Sequence, residues 1–144
     1  MHVADVRTGM EVIDEQECVQ LLAAQSPAVG RLAVVIDGDP AIFPVNYGMI
    51  GDRVVFRSGE GTKLHAALTT DRVAFEIDAA HEGGHGWSVV VVGRCEAVGS
   101  DTQLLIVLGK HREPFAAGDK LTWVMIEPEI ITGRRLPAIR GWYW

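Results

Sequence analysis

The chain has 144 residues, 48 % of them hydrophobic and 22 % charged, and carries a formal net charge of −6. That length suits one domain burying roughly two-thirds of its unfolded surface, and the acidic balance without a basic stripe excludes a partner that wraps nucleic acid. No apolar run approaches the roughly 20 residues of a membrane-spanning helix, no signal-peptide pattern is visible, and two distant cysteines, Cys18 and Cys95, make no disulfide framework, so a cytoplasmic protein with reduced thiols is expected.

Residues 1–12 have the composition of a loose arm. Asp14 then precedes Glu17 by three positions, a capping-box spacing that opens a helix with Val19, Leu22 and Ala23 on its apolar stripe and its end near Ser26-Pro27. Gly30–Ile36 is rich in β-branched residues and predicts a strand. Asp37-Gly38-Asp39-Pro40 predicts a turn, Ala41–Met49 the returning strand, and Gly51-Asp52 a second turn into Arg53–Ser58. A short helix over Thr62–Thr69 and a strand over Arg72–Asp78 follow.

A loop over His81–Gly86 leads into a long strand, Trp87–Val98, whose unbroken apolar run predicts burial on both faces. Ser100 or Asp101 can cap a third helix to about Lys110, and His111–Gly118 is a loop. Asp119–Glu127 is the next strand, with Ile130–Leu136 extending or following it. Residues 13–136 thus form one domain, and 137–144 an aromatic tail ending Gly141-Trp142-Tyr143-Trp144. Six or seven mostly antiparallel strands with short helices favour a mainly β, α+β barrel, because closure removes exposed edges.

The most informative segment is Val54-Val55-Phe56-Arg57-Ser58-Gly59-Glu60-Gly61-Thr62-Lys63-Leu64. It predicts a strand, a glycine turn and a helix start, with Arg57 and Ser58 before the turn and Thr62 and Lys63 after it. A helix start has N–H groups without intrahelical partners and a partial positive charge, so it attracts an anion. Glycines allow close backbone approach, Arg grips two oxygens at once, and Lys adds a point charge. The set fits a phosphate-bearing ligand; otherwise these are surface charges beside a turn.

In Pro44-Val45-Asn46-Tyr47, Asn46 is an amide within an otherwise apolar strand. It meets either the polar edge of a ligand or a neighbouring loop, and Tyr47 is either a ligand contact or core. Trp87 stacks on a planar ring or anchors a barrel rim, and Ser88 can donate to a phosphate. His81-Glu82-Gly83-Gly84-His85 spells a zinc-protease motif, but two glycines oppose the helix that would bring both histidines to one face. No metal site is expected, and no residue emerges as catalytic.

These pieces, with Gly30-Arg31-Leu32-Ala33, Val73-Ala74-Phe75-Glu76, Gly86-Trp87-Ser88-Val89, Gly93-Arg94 and Ile130-Ile131-Thr132-Gly133-Arg134-Arg135, occur in an order that resembles the pyridoxamine 5′-phosphate oxidase-like flavoproteins of split β-barrel fold, in the branch related to nitroimidazole-resistance proteins. The resemblance spans about residues 12–136. It implies FMN at the interface of a homodimer: Pro44, Val45, Asn46 and Tyr47 along the ring, Phe56, Arg57 and Ser58 on the ribityl-phosphate arm, Thr62, Lys63 and Leu64 at the phosphate, and Trp87 and Ser88 reaching in from the partner. It also implies hydride or electron transfer from a reduced nicotinamide to a small electrophile. A non-catalytic flavin or heme carrier or sensor, or a reductase using the deazaflavin F420, are the alternatives.

Overall fold

A computed structural model describes residues 3–4, 10–59, 61–80, 85–99 and 121–136 of the chain. For residues 3–4, 62–64, 99 and 121 the description is of the backbone alone. The expected third helix, the loop after it and the aromatic tail lie outside these residues, as do His81 and Glu82 of the histidine motif.

In chain order the elements are β1 (Val3–Ala4), β2 (Glu11–Ile13), α1 (Glu15–Gln25), β3 (Ala28–Ile36), β4 (Asp39–Ile50), β5 (Arg53–Gly59), α2 (Thr62–Thr69), β6 (Val73–Ala80), β7 (Gly86–Gly99) and β8 (Leu121–Leu136). The sheet runs β1-β2-β8-β5-β4-β3-β6-β7, and β7 pairs again with β8. Six antiparallel strands, β3 to β8, therefore close on themselves, with β2 added at the β8 edge. All pairings are antiparallel. No helix among the described residues is long and apolar enough to cross a membrane.

The first helix forms as its sequence dictates. The Asp14 carboxylate accepts the Glu17 N–H at 2.8 Å, capping α1. The Glu17 side chain does not return to complete the box. It pairs instead with Arg135 of β8, which also reaches Glu11 of β2 at 3.4 Å. Cys18 and Leu22 form the buried stripe of α1. The segment expected to be a loose arm is thus partly sheet, because Glu11–Ile13 pairs with Gly133–Arg135.

β3 and β4 join through a two-residue turn, Asp37-Gly38, with φ of 51° and 84°. Both angles are left-handed, as the hairpin twist requires, and Gly and Asp tolerate them best. Asp39 and Pro40, expected in the turn, already belong to β4.

Inside the barrel Leu32, Val34, Val45, Tyr47, Val54, Phe56, Phe75, Ile77, Val89, Val91, Val124 and Ile126 form one cluster. Gly30 is small for a reason: a Cβ there would stand 2.2 Å from the Phe75 ring. β7 alternates buried and half-buried residues from Val89 to Val92, so only one face is fully covered, contrary to the expectation for an apolar run. An antiparallel barrel strand has one inner face, whereas burial on both belongs to parallel sheets packed between layers.

β8 runs unbroken from Leu121 to Leu136, so Ile130–Leu136 extends the preceding strand, the first of the two expected arrangements. Pro128 stands opposite Gly93, at the point where the β7–β8 register shifts. A proline cannot donate to the ladder, but a bulge removes the need.

Candidate functional site

The period of two in a strand decides which of the expected residues can share a site. On β4, Val45 and Tyr47 turn into the core, while Pro44 and Asn46 are exposed on the outer face. The Asn46 amide, set in an otherwise apolar strand, is therefore exposed and not buried. On β5, Val54, Phe56 and Ser58 turn inward and Arg57 outward. The β4–β5 ladder ends at Tyr47 opposite Phe56, both turned inward, so Asn46 and Arg57, the next residue on each strand, both turn to the outer surface.

Tyr47 belongs to the core in every respect. Its hydroxyl donates to the Leu22 carbonyl at 2.7 Å, and its ring meets Phe75 edge-on, with centroids 5.1 Å apart. Burial pushes its pKa up to about 12. Phe56 and Trp87 are likewise buried in the main cluster, so these side chains face away from any ligand on the outer surface. The part they and Val45 can offer there is backbone. Ser58 is 2 % exposed, and its hydroxyl donates to the Gly59 carbonyl at 3.2 Å. It leaves β5 on the face opposite Arg57, so the two side chains do not converge. Ser88 is half-buried on β7, opposite Asp78 and Arg134.

The glycine turn into α2 has the expected conformation. Gly61 precedes the helix with φ of 147° and ψ of −168°, a region open in practice to glycine alone. No side chain caps α2, and no acidic residue sits in its first turn. The first-turn N–H groups have no intrahelical acceptors. Thr62, Lys63 and Leu64 open this helix, and their side chains lie outside the described residues.

One residue on this surface carried no special sequence signal. Trp123 of β8 is the direct cross-strand partner of Arg57, and the guanidinium carbon lies 4.8 Å from the centre of its ring. Trp123 is only 6 % exposed, yet it is absent from the main core cluster. Val55, on the same outer face, is fully buried and absent too. Strand alternation could have placed Trp123 opposite Val124, but its meeting with Arg57 depends on a pairing across more than sixty residues of chain.

A charged group flanks Pro44. Arg31, opposite Pro44, reaches Glu76 at 3.3 Å and Asp78 at 3.7 Å. Partial burial and the neighbouring Asp78 raise the Glu76 pKa to about 7, with Arg31 pulling the other way. An open groove of about 430 Å³ lies elsewhere, lined by Val35, Asp37 and Thr69–Arg72. It sits at the far end of α2 from the glycine turn and takes in none of the residues above. His85 is exposed and stands just before β7, not on a helix. Among the described residues no group of three potential ligands could hold a metal.

Against known proteins the chain is 33 % identical to the Mycobacterium tuberculosis protein Rv0080, over 94 % of this chain and 92 % of that one. Among solved structures it is similar to the FAD binding protein from Mycobacterium smegmatis, with 32 % identity, 89 % and 99 % coverage and a TM-score of 0.68. It is also similar to a FAD-binding protein from Mesorhizobium loti, with 28 % identity, the same coverage and a TM-score of 0.73. The closed barrel, the order of its strands and a family model matching residues 14–135 agree, and the chain belongs to the pyridoxamine 5′-phosphate oxidase family, with its split-barrel fold.

Proposed function

We propose that this protein binds a flavin, FMN, on the outer face of β4 and β5, and passes hydride or electrons from a reduced nicotinamide to a small electrophile. The observation that carries the reading is that Asn46 and Arg57 turn to the same outer surface of paired strands, a single glycine turn before the start of α2. The donor set suits the ligand. Arg57, Thr62 and Lys63 with the first-turn amides of α2 would hold the phosphate. Pro44, Asn46 and the backbone of Val45 and Tyr47 would lie along the ring. A bound flavin supplies the redox centre, and the chain supplies position and charge around it.

The same reading makes the protein a homodimer. Val29 is 57 % exposed and Ile42 69 % exposed on the outer face of the sheet that carries Asn46, apolar surface that a second copy would cover. Trp87 and Ser88 would approach the ligand of the partner subunit through the β7 backbone and the Ser88 hydroxyl.

Two observations favour variants of this reading. The names of the Mycobacterium smegmatis and Mesorhizobium loti neighbours specify FAD, which shares the riboflavin 5′-phosphate portion of FMN. The sequence names no residue as catalytic, which favours a non-catalytic carrier. One preparation separates these outcomes. Denaturing the purified protein and weighing the released ligand should give the mass of FMN; FAD or a deazaflavin would correct the cofactor, and the absence of any flavin would reject the proposal. Anaerobic mixing with NADPH should bleach the flavin absorbance, and a flavin that stays oxidised with every nicotinamide donor would mark a carrier.

A further inference from the structure

We infer that Trp123 is a positioning residue of the phosphate cradle, holding the Arg57 guanidinium flat so that it recognises the 5′-phosphate of a flavin. This rests on the flavin-binding reading and adds a residue and a specificity to it.

Arg57 and Trp123 are directly paired across β5 and β8, and the guanidinium carbon lies 4.8 Å from the ring centre. That is well inside the roughly 6 Å range in which the negative face of an indole attracts a cation. Trp123 is almost wholly buried, so its ring is a fixed platform, and the missing solvent strengthens the attraction. Stacking engages the flat face of a guanidinium. Its five N–H donors lie in the plane, so contact with the ring does not compete with a bidentate grip on an oxyanion. A long side chain on a strand surface otherwise samples many rotamers, and binding must suppress them. The indole restricts that freedom beforehand, beside the turn that leads to Gly61 and α2.

The consequence is selective. Riboflavin and FMN differ by the phosphate alone, so loss of the platform should weaken FMN and leave riboflavin nearly untouched. A purely structural tryptophan would affect both equally. The purified protein, its variants and the two ligands can be compared by quenching of flavin fluorescence. Trp123→Leu should weaken FMN about 5- to 30-fold and riboflavin less than about two-fold. In an Arg57→Ala background the same change should cost FMN nothing further, since the two residues act as a unit. Where Trp123→Leu does not fold, Trp123→Phe decides, because it retains a weaker aromatic face and should lose about 2- to 5-fold for FMN only.

Equal losses for both ligands, or full additivity with Arg57→Ala, would overturn the inference while leaving flavin binding intact. A wild-type protein that binds neither ligand would overturn the underlying reading, and this inference with it.

Discussion

Replacing Tyr47 with phenylalanine removes one oxygen and changes nothing else in shape. That oxygen has a defined task. In the last turn of α1 the Ser26 N–H turns back to the Ala23 carbonyl at 3.3 Å, one residue short of the regular helical partner. The Leu22 carbonyl is thereby released from the helical ladder, and the Tyr47 hydroxyl donates to it at 2.7 Å. Leu22 is fully buried, so its carbonyl would be left without a donor in Tyr47→Phe. A buried unmet acceptor costs about 1–3 kcal/mol. The ring and its edge contact with Phe75 remain, so no cavity adds to the cost. With an unfolding entropy of about 2 cal/mol/K per residue, a chain of this length loses about 3 °C per kcal/mol, so the melting midpoint should fall by about 3–10 °C. Circular dichroism melts and urea titrations at neutral pH measure this, with an unchanged urea slope confirming that the native state is otherwise intact. A midpoint within 1 °C of wild type would show that water serves the Leu22 carbonyl, and the capping argument would fail. There is also a pH signature. The folded protein keeps the Tyr47 proton to about pH 12, while an unfolded tyrosine releases it near 10. The folded state therefore binds more protons in that interval, and the Tyr47 contribution is lost as pH rises from about 10 to 12. Tyr47→Phe should lack that component.

Three further outcomes are expected. Glu76 is raised to about 7 by burial and by Asp78, so the folded state holds its proton above the ordinary carboxylate range; its contribution is complete below about pH 4.5 and lost as pH rises through about 7. Urea midpoints of wild type and Glu76→Gln across pH 4.5–8 should diverge with that sign, and parallel profiles would refute it. Gly30→Ala forces a methyl to within 2.2 Å of the Phe75 ring and should cost about 1–3 kcal/mol by denaturant unfolding, partly recovered in the double variant Gly30→Ala with Phe75→Leu; simple additivity would point to backbone strain instead. Burial raises the thiol pKa of Cys18 to about 11 and that of Cys95 to about 12, so neither should react with a thiol reagent at neutral pH until the protein is unfolded; rapid labelling of either in the native state would contradict its placement.

Local chemistry was the readable part of this sequence. Asp14 caps α1, Asp37-Gly38 turns a hairpin, and Gly61 opens α2, because each depends on residues within a few positions of one another. The barrel was readable too, since many short strands without crossover helices leave closure as the economical arrangement. What escaped depends on the phase and register of strands. Pro44–Tyr47 could be recognised as one segment, but only pairing with Phe56 divides it into an outer pair and an inner pair. The same blindness placed Ser58 beside Arg57, although one residue along a strand is half a turn away. Whether β8 runs on past Pro128 stayed open, because the bulge there, with Glu129 as its extra residue, is defined only by pairing with Val92 and Gly93 of β7. Arg57 with Trp123 is the sharpest case, a contact made only after the β5–β8 ladder exists.

That ladder has a bearing on how the molecule is made. β8 closes the circuit: along Leu121–Ile126 it meets β5, and along Trp123–Leu136 it meets β7. A ribosome delivers it after every other described strand. Until it emerges, both flanking strands present unsatisfied amides and carbonyls to the surroundings, a template for pairing with other nascent chains. Premature termination anywhere upstream of Leu121 would leave that template permanently open, and such fragments should accumulate as aggregates instead of as smaller soluble barrels.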